Sequence, residues 1–332
     1  MLDAVYEMRL RDAKNGVTIT GQPFDERYFN YYLNATARGL KVKALDPAVY
    51  NSRRNGAGVC IYQIDKNASP LFMPGVNTAV LFISHVVNDE TIFRYGMLKT
   101  ACGALGYSLY WAMDENAETS MNTPPPGADV YRFSHERYAS EMPFAVYKTR
   151  QEAYLNAASA AALMFWKDNV RKYGRIWIVE HDACLAGKWE DFFRKYSDPS
   201  IDFAVDDVTT SCDWDKWYHY RHVNKKDLMD ECLAENVLAK SLNCVCMLSD
   251  RLINSIYKFL KSRGDGSVFY EWVWPTVAVK MKYSIARFKS NNFTVHEIPD
   301  DFADFRPGAP YHKIKLDVSW KSVMDRRGIA LA

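Results

Sequence analysis

The chain of 332 residues carries 42 Lys and Arg against 40 Asp and Glu, a net charge of +2, with 48% hydrophobic and 14% aromatic residues. That much apolar and aromatic material builds a core and excludes a disordered chain. A near-neutral balance without a long basic run excludes a general nucleic-acid binder.

At roughly 150 residues per domain, the length fits two domains or one large α/β domain with an extension. No apolar run approaches the ~18 residues that a membrane span needs. Met1 to Leu10 alternates charged and apolar residues without an apolar h-region, so it does not read as a signal peptide. The Asn-X-Ser/Thr triplets at Asn34, Asn67 and Asn292 then read as chance matches. The seven cysteines have no Cys-X-X-Cys spacing, which disfavours a zinc ribbon and suits free buried thiols in a reducing compartment. Cys244-Val245-Cys246 places both thiols on one strand face. The expectation is a cytoplasmic protein, monomeric or weakly dimeric, with no transmembrane segment.

Residues 1–75 are polar, Tyr-rich and irregular, and read as an N-terminal extension packed on the main domain. Asn77 to Ser84 is a continuous apolar run of strand length, as a buried parallel strand requires. Asn88 or Asp89 caps the next helix, which Gly103 and Gly106 end. Tyr107 to Met113 is a second strand, closing at Asp114 and completing a β-α-β unit. Thr123 to Gly127 is a loop. Thr149-Arg150-Gln151-Glu152 is a capping box for an Ala-rich helix running to about Tyr173, with Gly174 as its stop.

Ile176 to Val179 is a third buried strand with Glu180-His181-Asp182 at its end. Lys188 to Tyr196 reads as a short helix and Ile201 to Val208 as a strand ending in Asp206-Asp207. Residues 211–225 are aromatic and His-rich. Leu228 to Leu242 reads as a helix, Cys244 to Leu248 as a strand, and Ser249 or Asp250 as the cap of another helix. After the Gly264-Asp265-Gly266 break comes Glu271-Trp-Val-Trp-Pro-Thr276, then a strand around Phe293 to Ile298 and the Tyr311-His312-Lys313 segment. The fold class is α/β, a mostly parallel central sheet flanked by helices. Residues 76–210 read as one half of the main domain, and 211–332 as the other half and tail.

Ligands in such sheets bind beyond the carboxyl ends of the strands. Ser84, His85, Asp114, Glu180 and Asp182 lie at those ends. The first strand lacks Gly-X-Gly-X-X-Gly, and the chain has no P-loop and no Gly-X-Ser-X-Gly elbow. Those absences remove the common dehydrogenase, NTPase and α/β-hydrolase readings. What remains is Glu180-His181-Asp182: two carboxylates at i and i+2 lean to one side of a rigid strand end. Hard oxygens so placed hold a divalent cation that neutralises a diphosphate leaving group. A metal-dependent phosphohydrolase would need further clustered carboxylates and histidines, and only this triplet offers them locally. Lys148 and Arg150 flank a helix start, where two cations suit phosphate. His219 and His222 have His-X-X-His spacing, but among Trp214, Trp217 and Tyr220 they also fit an aromatic wall.

Trp-Ile-Val-Glu180-His-Asp182, followed by Gly187-Lys-Trp189 and a Phe-Phe helix, resembles nucleotide-sugar glycosyltransferases of the GT-A fold. The likeness is closest to those of green algae and of the large DNA viruses that infect them. Ser249-Asp250-Arg251-Leu252 and Glu271-Trp-Val-Trp-Pro-Thr276 are similar to the acceptor half of such proteins. The likeness covers roughly residues 76–315. The usual Asp-X-Asp stands here as Glu180-His181-Asp182.

The resemblance implies a UDP- or GDP-sugar donor, a glycan acceptor, and Mn2+ or Mg2+, in the host cytoplasm if the protein is viral. Ser84 and His85 would line the nucleotide pocket, and Asp114 would accept from base or ribose. Asp182 would bind the metal, with Glu180 facing the ribose or the metal's waters and His312 completing the site. Glu271 is the candidate general base, beside Trp272 and Trp274 as sugar-stacking walls, with Asp250 as runner-up. The rival is a carbohydrate-binding protein that keeps the GT-A shell without turnover, which the Glu at position 180 favours and Asp182 and Glu271 oppose.

Overall fold

The computed structural model describes residues 42–44, 62–64, 77–115, 123–142, 157–170, 172–212, 214, 226–263, 269–288, 308–312 and 319–330. The chain divides into two units, Met1–Gly75 and Val76–Ala332. In the first, β1 (Val42–Ala44) pairs antiparallel with β2 (Tyr62–Ile64).

The second unit is built on a seven-stranded sheet. Its strands are β3 (Thr78–Ile83), β4 (Ser108–Asp114), β5 (Val130–Phe133), β6 (Arg175–Glu180), β8 (Phe203–Val205), β9 (Val245–Ser249) and β10 (Ile285–Arg287). Across the sheet the order is β10-β8-β9-β6-β3-β4-β5. All neighbours are parallel except β9, which is antiparallel to both β6 and β8. A two-stranded ribbon, β7 (Cys184–Leu185) with β11 (Pro310–Tyr311), lies outside it. The helices are α1 (Asp89–Leu105), α2 (His135–Glu141), α3 (Ala157–Asp168), α4 (Trp189–Lys195), α5 (Lys226–Ala234), α6 (Asp250–Arg263), α7 (Tyr270–Lys280) and α8 (Trp320–Arg326).

The continuous apolar strands follow from burial on both faces. Along β3, Ala79, Leu81 and Ile83 enter one core with α3, α6 and α7, while Val80 and Phe82 enter another with α1 and α4. That alternation is the two-residue period of a strand. The two thiols expected on one face are parted because Cys244 precedes β9 and falls outside that alternation: Cys246 faces the first core and Cys244 the second. Burial pushes the thiols of Cys102, Cys184 and Cys244 up to about 12, so these free cysteines are packing groups.

Local chemistry sets the helix ends. Asn88 caps α1 with a capping box shared with Thr91, and Gly106, at φ 69°, is the stop. Gly103 lies inside the helix. The helix expected over Leu228 to Leu242 ends at Ala234, because Asn236 turns left-handed (φ 57°) and Val237 N–H closes on Cys232 O at 3.0 Å. The expected strand Ile201 to Val208 contracts to β8. The capping box at Thr149, His219, His222 and the strand around Phe293 lie outside the described residues.

Helix α7 holds Pro275 in its interior. A proline has no N–H for the carbonyl four residues back, here Glu271. Ser241 N–H fills that gap at 2.8 Å, and Thr276 Oγ1 exchanges hydrogen bonds with Ala239 N–H (3.0 Å) and Ala239 O (3.1 Å). The missing donor thus becomes the seam that docks α7 on the segment leading into β9.

At the opposite sheet edge Asp202, 2% exposed, accepts from Ser249 Oγ (2.9 Å) and Ser284 N–H (3.1 Å) and pairs with Arg251. One carboxylate so joins β8, β9, α6 and the start of β10. Asp202→Ala is expected to cost about 2–4 kcal/mol in urea unfolding, below a fully buried pair because Arg251 is half in water. A loss under ~0.5 kcal/mol would contradict that reading. Among the described residues, no helix is long and apolar enough to cross a membrane.

Candidate functional site

The parallel strands β3, β4 and β6 end at one sheet edge, with Ile83 level with Ala112 and Glu180. Strand β6 ends in Glu180, and the turn behind it closes with Ala183 N–H on Glu180 O at 2.9 Å. Glu180 N–H donates to Cys244 O (2.9 Å) and His181 N–H to Ile83 O (3.0 Å), so both neighbouring strands hold the turn. Arg94 of α1, 2% exposed, donates to His181 O at 2.9 Å and pairs with Glu90 at 2.8 Å. Glu90 also accepts from Trp320 N–H of α8 at 3.2 Å. His181 Nδ1 lies 3.3 Å from Ile83 O, and since a carbonyl only accepts, this nitrogen carries the hydrogen.

The tail returns through β11, where Tyr311 pairs with Cys184 and Pro310 with Leu185. Just beyond the pairing the chain turns through positive φ, which Gly187 (φ 149°) and Gly308 (φ 78°) adopt without strain. Trp320 Nε1–H bonds Leu185 O at 3.1 Å and secures the ribbon.

This ribbon delivers His312, 6% exposed, to the β6 turn. His312 Nε2 lies 3.3 Å from Glu180 Oε2 and 3.3 Å from Asp182 Oδ1. One ligand atom from each of the three residues lies within 4.8 Å of the others. From α7, Tyr270 O–H donates to the other Glu180 oxygen, Oε1, at 2.6 Å.

Burial alone would lower the His312 pKa, but Cys244, Asp182 and Glu180 around it hold the proton on well above the usual range. Burial would raise the Asp182 carboxyl, yet His312 and His181 keep it below its ordinary value. The Tyr270 phenol is pushed far up by burial and by Glu180 and Glu271, so it stays a neutral donor.

The donor set fits a divalent cation. Two carboxylates and an imidazole converge, and Asp182 Oδ1 is buried without a hydrogen bond among the described residues. Carboxylate oxygens suit Mg2+ and Mn2+, and an imidazole shifts the preference toward the transition metal. Ligation needs a neutral imidazole, so a cation competes with the proton on His312.

Other candidates are placed as follows. His85 packs edge-on against His181, ring centroids 5.0 Å apart, and burial and His181 lower its pKa. Asp114 accepts from His135 Nε2 at 2.9 Å, and Ser134 Oγ caps α2 to present that ring. Ser84 is 1% exposed and turned inward: its hydroxyl donates to Val86 O (2.7 Å) and accepts from Val86 N–H (3.1 Å). It shapes the turn rather than lining a pocket. Lys148 and Arg150 lie outside the described residues. Asp207 Oδ1 accepts from Val208 N–H at 2.8 Å and sits 3.4 Å from Arg287, a strand-end arrangement.

Two expectations need correction. Asp250 follows β9, and β9 runs against β6, with Ser249 level with Arg175. Asp250 therefore lies at the opposite sheet edge from Glu180. At roughly 3.3 Å per residue, the length of β6 separates them by about 16 Å. Its carboxylate accepts from Trp166 Nε1–H at 2.7 Å, which leaves it no part in a base at this site. Trp272 and Trp274 are 0% and 1% exposed within the core, so neither forms a sugar-stacking wall. Glu271, half-buried, is the second residue of α7, directly after Tyr270.

Tyr270 and His135 escaped the sequence reading. Tyr270 shares no local spacing with Glu180, and only its place before Glu271 marks it. His135 had a visible signal in Ser134, a serine cap before a charged helical stretch.

No family model and no curated protein matches the sequence. Among solved structures, the chain is similar to mouse xyloside xylosyltransferase 1 in its apo form, with 8% identity, 71% of this chain and 96% of that one covered, and a TM-score of 0.38. It is also similar to a glycosyltransferase involved in glycosylation of the major capsid of PBCV-1, with 10% identity, 76% and 99% coverage, and a TM-score of 0.38.

Proposed function

We propose that the chain is a GT-A-type glycosyltransferase that moves a sugar from a nucleotide-sugar donor to a hydroxyl of a glycan, with divalent-metal assistance and inversion. The observation that carries this reading is the convergence of Glu180, Asp182 and His312 at the carboxyl edge of the parallel strands. Strand ends of that kind are where such sheets bind ligands.

When bound, Mn2+ or Mg2+ would neutralise charge on the departing diphosphate. Glu180, Asp182 and His312 would hold it. His85 and Asp114, on the neighbouring strand ends, would face the nucleoside, with His135 fixing the Asp114 carboxylate. Lys148 and Arg150 are proposed to meet the phosphates. Glu271 would take the proton from the acceptor hydroxyl as the new glycosidic bond forms.

The rival, a carbohydrate-binding shell without turnover, rests on Glu180 standing where Asp is usual. A thermal-shift panel of UDP, GDP and CMP sugars with Mn2+ decides the main point. A ligand at about 100 times its Kd stabilises a protein by about 2.7 kcal/mol, so one nucleotide class should raise Tm only when Mn2+ is present. No shift with any of them would overturn the donor assignment. Slow hydrolysis of the stabilising sugar nucleotide identifies the enzyme, and its absence the shell.

A further inference from the structure

We infer that Tyr270 is a positioning residue for the Glu180 carboxylate, and that it ties the helix carrying Glu271 to the metal-binding turn. The inference rests on the metal reading above. Glu180 divides its two oxygens: Oε1 accepts the Tyr270 hydroxyl at 2.6 Å, and Oε2 faces His312 at 3.3 Å. A carboxylate held this way offers one oxygen to a cation in a set orientation. Hydrogen bonds to ligating groups fix their geometry in this manner.

The donor itself is rigid. Tyr270 is 4% exposed, with its ring against Phe269 (5.3 Å between centroids) and Trp274 (5.0 Å). Its carbonyl accepts from Asn243 Nδ2 at 2.9 Å, and Asn243 is in turn held by Ser241 Oγ at 2.5 Å. The next residue, Cys244, accepts Glu180 N–H through its carbonyl at 2.9 Å. The main chain of Glu180 and its side chain are thus anchored to the same short segment, one directly and one through Tyr270. The phenol gives its hydrogen to Oε1, which leaves Oε2 as the oxygen turned toward His312 and Asp182.

This circuit explains a glutamate at position 180. An aspartate there is one methylene shorter and draws back from the hydroxyl. It also links the two halves of the reaction, because Glu271 follows Tyr270 in the first turn of α7.

The test is a Mn2+ titration of the full chain, read from the EPR signal of free Mn2+, on wild type, Tyr270→Phe, Glu180→Asp, Glu180→Gln and the Tyr270→Phe/Glu180→Gln double variant. Tyr270→Phe should weaken Mn2+ binding about 10- to 100-fold, the usual effect of losing a group that orients a ligand. Glu180→Asp, which keeps Tyr270 and its packing, should weaken it comparably despite restoring Asp-X-Asp. In the Glu180→Gln background, Tyr270→Phe should change nothing further.

Wild-type affinity in Tyr270→Phe, tighter binding by Glu180→Asp, or an equal loss in the Glu180→Gln background overturns the inference and leaves the metal site standing. Wild type that binds no Mn2+ overturns the metal reading itself, and the inference falls with it.

Discussion

Glu271→Gln is expected to bind donor nucleotide and Mn2+ as wild type does, while transfer falls about 10²- to 10⁴-fold, the range for losing a general base. Three features support the choice. Glu271 lies half-buried in the first turn of α7, and its backbone is fixed through Ser241. It adjoins Tyr270, which bonds the Glu180 carboxylate. Asp250, the other carboxylate considered, is at the far sheet edge and engaged by Trp166. Glutamine keeps the shape and removes the basicity, so kcat should fall while the donor-induced Tm shift persists. Transfer within about threefold of wild type, a barrier change under ~0.7 kcal/mol, would remove the carboxylate base and make retention the better mechanism.

Asp182→Asn is expected to lower turnover at least about tenfold to a hundredfold, or ~1.4–2.7 kcal/mol of barrier. The Asp182 side chain is 27% exposed and belongs to neither core, but its charge faces the protonated His312, so Tm without ligand should fall modestly while the fold is kept. The asparagine leaves Glu180 and His312 to hold a cation with one carboxylate where two stood. The activity curve against Mn2+ should therefore shift to higher concentration, and part of the loss should return at high Mn2+. Full activity at the wild-type Mn2+ requirement would sink the assignment of Asp182 as a ligand.

The long buried strands β3, β4, β6 and β9 and the helices that begin at clear caps or end at glycine stops were legible in the sequence. β3, β6 and β9 are runs of buried apolar residues long enough to cross a sheet covered on both faces, and α1 carries its cap and its glycine stop. Glu180 and Asp182 were legible for the same reason, since a charged pair that ends a buried strand must emerge at the sheet edge. Shorter elements were not. β7 and β11 have two residues each, too few to show a period, and β5 alternates exposed and buried positions at the sheet's margin.

Tertiary structure alone decided which charged groups meet. A buried apolar strand reads the same in either direction, so nothing local told that β9 runs against β6 and carries Asp250 to the wrong edge. Nor did anything local bring His312 to Asp182. That meeting depends on a two-residue ribbon pairing and on Gly187 and Gly308 turning through positive φ, a long-range closure that leaves no periodic trace. The Tyr270–Glu180 bond is of the same kind. It exists because Pro275 frees the Glu271 carbonyl for Ser241, which seats α7 where the phenol reaches the carboxylate. Local sequence sets propensity and burial over a few residues, and packing across the sheet sets the distances on which the proposed chemistry depends.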